Sequence, residues 1–162
     1  MNEAQVMSHA TTGKLVISLE PNAWHGYATE TVWVRDLGEH KYQLLNTPFF
    51  AKQLSYEDIV IAAATELGLI FQERISSSGH STYRIIPKVD LSTDEFLEAW
   101  ASLAALGCTY EELALDFRLL AVDVPPSADI YRVYEFLEIG EHSNIWDFEE
   151  GHCAHVVNMS KH

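Results

Sequence analysis

Residues 92–107 read Ser-Thr-Asp-Glu-Phe-Leu-Glu-Ala-Trp-Ala-Ser-Leu-Ala-Ala-Leu-Gly. Ser92 can accept a hydrogen bond from the backbone amide three residues on, while Glu95 reaches back to the Ser92 amide, a reciprocal arrangement that starts a helix. Phe96, Leu97, Trp100, Leu103 and Ala104 then recur at helical spacing and share one face. Gly107 supplies a left-handed stop. Upstream of this stretch the chain reads as strands alone, and downstream strands and helices alternate. The fold class turns on that change, and the reading is α+β.

Working back from the helix, the upstream segments alternate in the manner of half-buried strands. Leu15, Val16, Ile17 and Leu19 form an apolar run ended by Glu20-Pro21-Asn22. In Glu30–Asp36, Val32 and Val34 fall on one face and Thr31, Trp33 and Arg35 on the other. Leu37-Gly38-Glu39-His40 turns the chain into Lys41–Leu45. Ile59–Ala64 fits helix or strand by periodicity, and its β-branched start decides for strand. Leu69–Ile75 and Ser81–Ile86 follow, set apart by Gly68 and a Ser/Gly turn. Strands so closely joined predict a small antiparallel β-sheet or half-open barrel.

Downstream, Leu119–Val124 is a nearly continuous apolar strand closed by Pro125-Pro126. Ser127 is expected to cap a helix with Ile130, Val133, Tyr134 and Leu137 on one face and Gly140 at its end. Asn144–Glu150 reads as a final edge strand. The second half is therefore expected to be a β-α-β-α-β lobe of the ferredoxin-like split type, its helices on one face of a sheet. The division predicted is a flexible tail over 1–13 and one α+β domain over 14–162, with a β-rich lobe at about 14–87 and an α/β lobe at 88–162.

Charge narrows the partners. Twenty-four acidic residues against ten basic ones leave a formal −14 in 162 residues. Such a field repels phosphate backbones and anionic lipid surfaces, so neither nucleic acid nor membrane is an expected partner, whereas a basic protein would be steered in. Residues 1–14 lack a secretory pattern and no apolar run approaches membrane-spanning length, so a cytoplasmic location is expected. Cys108 and Cys153 stand far apart and outside any metal-finger spacing; Cys108 reads as a buried thiol.

The densest chemistry is Ser76–Arg84, Ser-Ser-Ser-Gly-His-Ser-Thr-Tyr-Arg. One reading makes His80 a general base, Ser78 or Ser81 a nucleophile and Arg84 an anion clamp. The other makes it a polar turn, with His80 anchoring the loop and Arg84 pairing with a carboxylate. No orienting carboxylate is fixed by spacing, so no catalytic residue is assigned, and His80, Tyr83 and Arg84 stand as binding candidates. Trp24 and His25, beside Gly26 and Tyr27, form a polar-aromatic patch suited to stacking or to an interface. Phe49 and Phe50, after Pro48, cannot both face one core from a strand, so either one is exposed as in a binding groove or a turn points both inward, and Asp58 can hold that turn by accepting backbone amides. His152-Cys153-Ala154-His155 offers ligand types near Glu149 and Glu150, yet no third or fourth ligand at a defined distance. No metal and no cofactor are expected.

Taken together, Trp24-His25-Gly26, Glu30-Thr31-Val32-Trp33-Val34, Asn46-Thr47-Pro48-Phe49-Phe50 with Asp58-Ile59-Val60, and Ser78-Gly79-His80-Ser81-Thr82-Tyr83-Arg84 carry a resemblance. So do Leu119–Pro126 and Trp146-Asp147-Phe148-Glu149-Glu150. The chain resembles the bacterial domain-of-unknown-function family 4265 from about Trp24 to Glu150. The resemblance implies no catalytic residue. By analogy with other small acidic bacterial domains it implies an immunity protein, one that binds and neutralises a basic toxin. The alternative from the residues themselves is a small-molecule binder or enzyme built on Trp24, His25, His80 and Arg84.

Overall fold

The computed structural model describes residues 12–157. The tail expected over 1–13 lies outside them up to residue 11; Thr12 and Gly13 already belong to the first strand. The described residues form an α+β fold of nine strands and two helices. Strands β1 (Thr12–Ser18), β2 (Thr29–Gly38), β3 (Lys41–Leu44), β4 (Ile59–Thr65) and β5 (Gly68–Ser76) close into a barrel. Strands β6 (Ser81–Pro87), β7 (Thr109–Ala114), β8 (Arg118–Val124) and β9 (Trp146–His152) form an antiparallel sheet in the order β7-β8-β6-β9. Helix α1 (Thr93–Ala105) follows β6, and α2 (Ile130–His142) follows β8.

The barrel closes where a half-open one was expected, because β1 and β5 meet in parallel, Leu15 opposite Leu69 and Val16 opposite Ile70. Period-two alternation places Leu15, Ile17, Val32, Val34, Tyr42, Leu44, Val60 and Ala62 in its interior. Ile59–Thr65 is a strand, as its β-branched start indicated.

The lobe boundary drawn near residue 87 is displaced. Strand β6, expected in the β-rich lobe, pairs with β8 and β9 at the centre of the second sheet. Turn signals mark strand ends, and they do not say which sheet a strand joins. Strand β7 was not foreseen, because Thr109-Tyr110-Glu111-Glu112-Leu113-Ala114 alternates weakly and carries two carboxylates.

Helix α1 begins with the capping box of Ser92 and Glu95 and is followed by Gly107 at φ +95°. Phe96, Trp100 and Leu103 are buried, but Leu97 is half exposed, so the apolar stripe is narrower than expected. Helix α2 is capped by Asp129 and not by Ser127: the Asp129 carboxylate accepts from the amides of Tyr131 and Arg132. Gly140 does not end α2, which runs on to His142. It lies under the Trp146 ring, where a Cβ would collide with the indole. The two helices cover one side of the sheet over a core of Tyr83, Ile85, Leu120, Val122, Val124, Leu137 and Trp146.

Candidate functional site

The other side of the sheet faces the barrel. Because side chains alternate, β6 sends Tyr83 and Ile85 to the helices and Thr82, Arg84 and Ile86 toward the barrel. Their cross-strand partners follow: Ala121 and Asp123 from β8, Glu149 and His152 from β9, and Glu111 opposite Ala121 from β7. Several of these groups close on one segment, the β3–β4 connection of residues 45–58.

Each part of that segment has its own anchor. Glu111 accepts from the Asn46 side-chain amide at 3.2 Å and from the Thr47 backbone amide at 2.7 Å. Glu30 accepts from the backbone amides of Phe49, Phe50 and Ala51 at 2.6, 2.9 and 2.9 Å. Arg84 reaches two of these three residues through their carbonyls, donating through Nε to that of Phe49 and through Nη2 to that of Ala51. Burial lowers the Arg84 pKa, against which Glu149 and then Glu30 act.

Farther along, Arg74 Nη1 lies 2.9 Å from His152 Nε2 and donates to the Gln53 carbonyl. A guanidinium can only donate, so Nε2 accepts and the His152 proton sits on Nδ1. Nδ1 therefore donates to Ser55 Oγ at 3.0 Å, Ser55 to Thr82 Oγ1 at 2.7 Å, and Thr82 to the Leu54 carbonyl at 3.2 Å. The direction of this relay makes Ser55 an acceptor from histidine, the reverse of an activated nucleophile. Burial, then the Arg74 charge, depresses the His152 pKa.

The predicted site residues thus divide. Asp58, fully buried, accepts from the amides of Ser55 and Ser78 at 2.9 and 2.8 Å and so ties its own turn to the β5–β6 loop; the 46–50 turn it was expected to hold is held by Glu111 and Glu30 instead, which reach it from other strands. His80 has the carboxylate that spacing could not supply: Nδ1 is 2.8 Å from Asp123 Oδ1, and Nε2 is 3.4 Å from Glu57 Oε1. Burial raises the Asp123 pKa, opposed by His80. Ser81 Oγ is buried, accepts from two backbone amides and bonds His155 Nδ1 at 2.6 Å, while His155 Nε2 donates to the Pro125 carbonyl. His155 and His152 therefore serve as ties between segments. Tyr83 lies in the helix-side core, where burial raises its pKa strongly. Burial likewise pushes the Cys108 thiol up to about 12.

Trp24, His25 and Phe50 do come together. The β1–β2 loop brings Trp24, His25 and Tyr27 against Phe50, with the His25 and Phe50 rings 4.6 Å apart and those of Tyr27 and Phe50 4.9 Å apart. Trp24 also meets Phe117, from the β7–β8 turn, at 6.1 Å. Phe49 contributes through its backbone, and its side chain is partly buried. Trp24, 51% exposed, borders three adjoining clefts between barrel and sheet, of about 180, 500 and 320 Å³. Carboxylates Glu20, Asp116, Asp147 and Glu149 line them, with Lys52 and the buried Arg84 as the cations. His80 borders none of these three. Trp24 and Phe50 were legible as candidates; Phe117, Glu149 and Asp147 were missed as members because only the fold makes them neighbours.

Among the described residues no helix is long and apolar enough to cross a membrane, and no group of three or more metal-ligating side chains gathers. No curated protein matches the chain. A solved structure of a hypothetical protein from Neisseria gonorrhoeae is similar, with a TM-score of 0.71 at 21% identity over 90% of this chain and 97% of that one, a likeness of fold. The model of the domain-of-unknown-function family DUF4265 matches residues 30–148, and the chain belongs to that family.

Proposed function

We propose that the protein is a cytoplasmic binding protein that engages a basic protein partner through the aromatic cleft around Trp24, acting as an immunity protein against a toxin. One observation carries the reading: Trp24 and Tyr27 stand exposed beside Phe50 and Phe117 and are surrounded by Glu20, Asp116, Asp147 and Glu149. Exposed aromatics flanked by carboxylates suit a lysine or arginine side chain, which gains ring contact and charge pairing together. The overall −14 favours fast encounter with such a partner and disfavours nucleic acid.

We read residues 12–157 as one domain, the second lobe being ferredoxin-like; the succession β-α-β-β-α-β and the order β7-β8-β6-β9 support this. The alternative, an enzyme or small-molecule pocket of His, Arg and Ser, is less well supported, since His80 is engaged with Asp123 and Glu57 away from Trp24 and Arg84.

Co-expression with the product of the adjacent reading frame tests the proposal. The expected result is a complex tighter than about 1 μM that weakens with salt and loses at least about tenfold in affinity on Trp24→Ala. No complex, or one indifferent to Trp24, overturns it.

A further inference from the structure

The smallest of the three clefts is lined in part by a residue that carries an unanswered donor. Trp24, Ile86, Leu119 and Phe148 enclose about 180 Å³ of largely apolar space, which Arg84 and Glu149 also line. Arg84 is 2% exposed, and its Nε and Nη2 are committed to the carbonyls of Phe49 and Ala51. Its Nη1 is buried without a hydrogen-bond acceptor, the one such side-chain atom among the described residues. Glu149 Oε1 is 3.8 Å away, beyond hydrogen-bond reach. Gly151 leaves room for this nitrogen, since a Cβ there would collide with it. A buried guanidinium donor left unanswered is costly, and a ligand that supplies an acceptor recovers that cost.

The surrounding charge decides which acceptor. Glu149 and Asp147 border the cavity and Glu30 acts on Arg84 from behind, so an anion is repelled where a neutral carbonyl oxygen is not. Glu149, opposite, calls for a donor. A planar amide edge has both, a C=O beside an N–H, and the half-exposed Trp24 at the border of the cavity is an aromatic partner for a flat group; the Phe148 ring lies on the helix side, against Tyr83 and Tyr134. We propose that this cavity is a subsite for a neutral planar amide edge, either a primary carboxamide or the lactam side of a heterocycle. Arg84 Nη1 donates to its carbonyl and Glu149 accepts from its N–H. The Glu149 side chain, 40% exposed, swings from Nη1 to admit the group. The subsite does not depend on a protein occupying the wider cleft.

The test is an NMR titration of ¹⁵N-labelled full-length protein, following the Trp24 indole and Arg84 guanidinium signals. Probes are benzamide, benzoate and N-acetylglutamine methylamide, each to about 10 mM. Benzamide is expected to shift both signals saturably, with benzoate at least about tenfold weaker. Glu149→Ala is expected to weaken benzamide about tenfold while leaving the remaining spectrum intact, and Leu119→Phe, which fills the cavity, to abolish the response. Preference for benzamide over the glutamine amide supports a free ligand that carries the amide on an aromatic ring, and the reverse supports an Asn or Gln side chain of a partner. No saturable shift, benzoate equal to benzamide, or an unchanged affinity in folded Glu149→Ala overturns the subsite. Loss of a partner complex in Trp24→Ala without any amide response would spare the wider cleft and sink this proposal alone.

Discussion

The two sides of the β6–β9 sheet are held in opposite ways. Toward the helices, Tyr83, Ile85, Leu120, Val122, Leu137 and Trp146 pack into a core whose stabilisation scales with apolar area and tolerates volume-conserving exchange. Toward the barrel, Thr82, Arg84, Glu111, Asp123 and His152 make directional bonds, many to the backbone of another segment. The first kind of face holds elements together, while the second also fixes where they sit, because a shift of about one ångström breaks hydrogen bonds that dispersion contacts would survive. The aromatic cleft opens on the second face. Its position is thus set by the more exacting of the two contacts.

Arg84→Met should separate the faces most sharply. It keeps the apolar stem and orphans the carbonyls of Phe49 and Ala51, with an expected loss of about 3–5 kcal/mol. Leu137→Ala on the helix side should cost about 2–5 kcal/mol. The losses are similar and the pattern should differ. In Leu137→Ala the two lobes are expected to unfold together in urea. In Arg84→Met amide exchange is expected to accelerate through residues 45–58 and the barrel while β6, β8 and β9 stay protected. Uniform acceleration in both variants would erase the distinction between the faces.

The same contrast explains what could be read in the chain. The helix side was legible: Ser92 with Glu95, Phe96, Trp100, Leu103 and the run Leu119–Val124 follow from local periodicity and capping. The polar side was not. Asp123 lies 43 residues from His80, and Glu111 lies 64 residues from Thr47. A polar tie between distant residues leaves no period in the sequence. The residue types in Ser76–Arg84 were conspicuous, yet their partners came from β8, β9 and the 45–58 connection. The missed β7 belongs to the same class, since its Glu111 is there to bind Asn46 and Thr47 and thereby weakens the strand's apolar alternation.

His80→Ala tests a single tie. It leaves the mostly buried Asp123 without its hydrogen-bond donor, and the expected cost is about 1–3 kcal/mol by urea denaturation. A change under about 0.5 kcal/mol would class His80 with ordinary surface positions and return it to the list of functional candidates.

The smallest expected effect is also the most specific to the polar face, because apolar packing does not titrate. His152 is held neutral between an Arg74 donor and the Ser55 hydroxyl, and burial keeps its pKa below the ordinary value. Below about pH 6.5 the unfolded chain therefore binds a proton at this position that the folded chain refuses. The stabilisation from the neutral ring is fully present above that pH and is lost as pH falls toward the depressed folded value. Asparagine at 152 can replace the Nδ1 donor to Ser55 without titrating. His152→Asn should then lower stability at pH 7.5, where the Arg74 bond is missed, and flatten its decline between about pH 6.5 and 5. Urea midpoints of both proteins across that range decide it: parallel curves would mean that His152 does not titrate with folding, and that the proton order deduced for the relay is wrong.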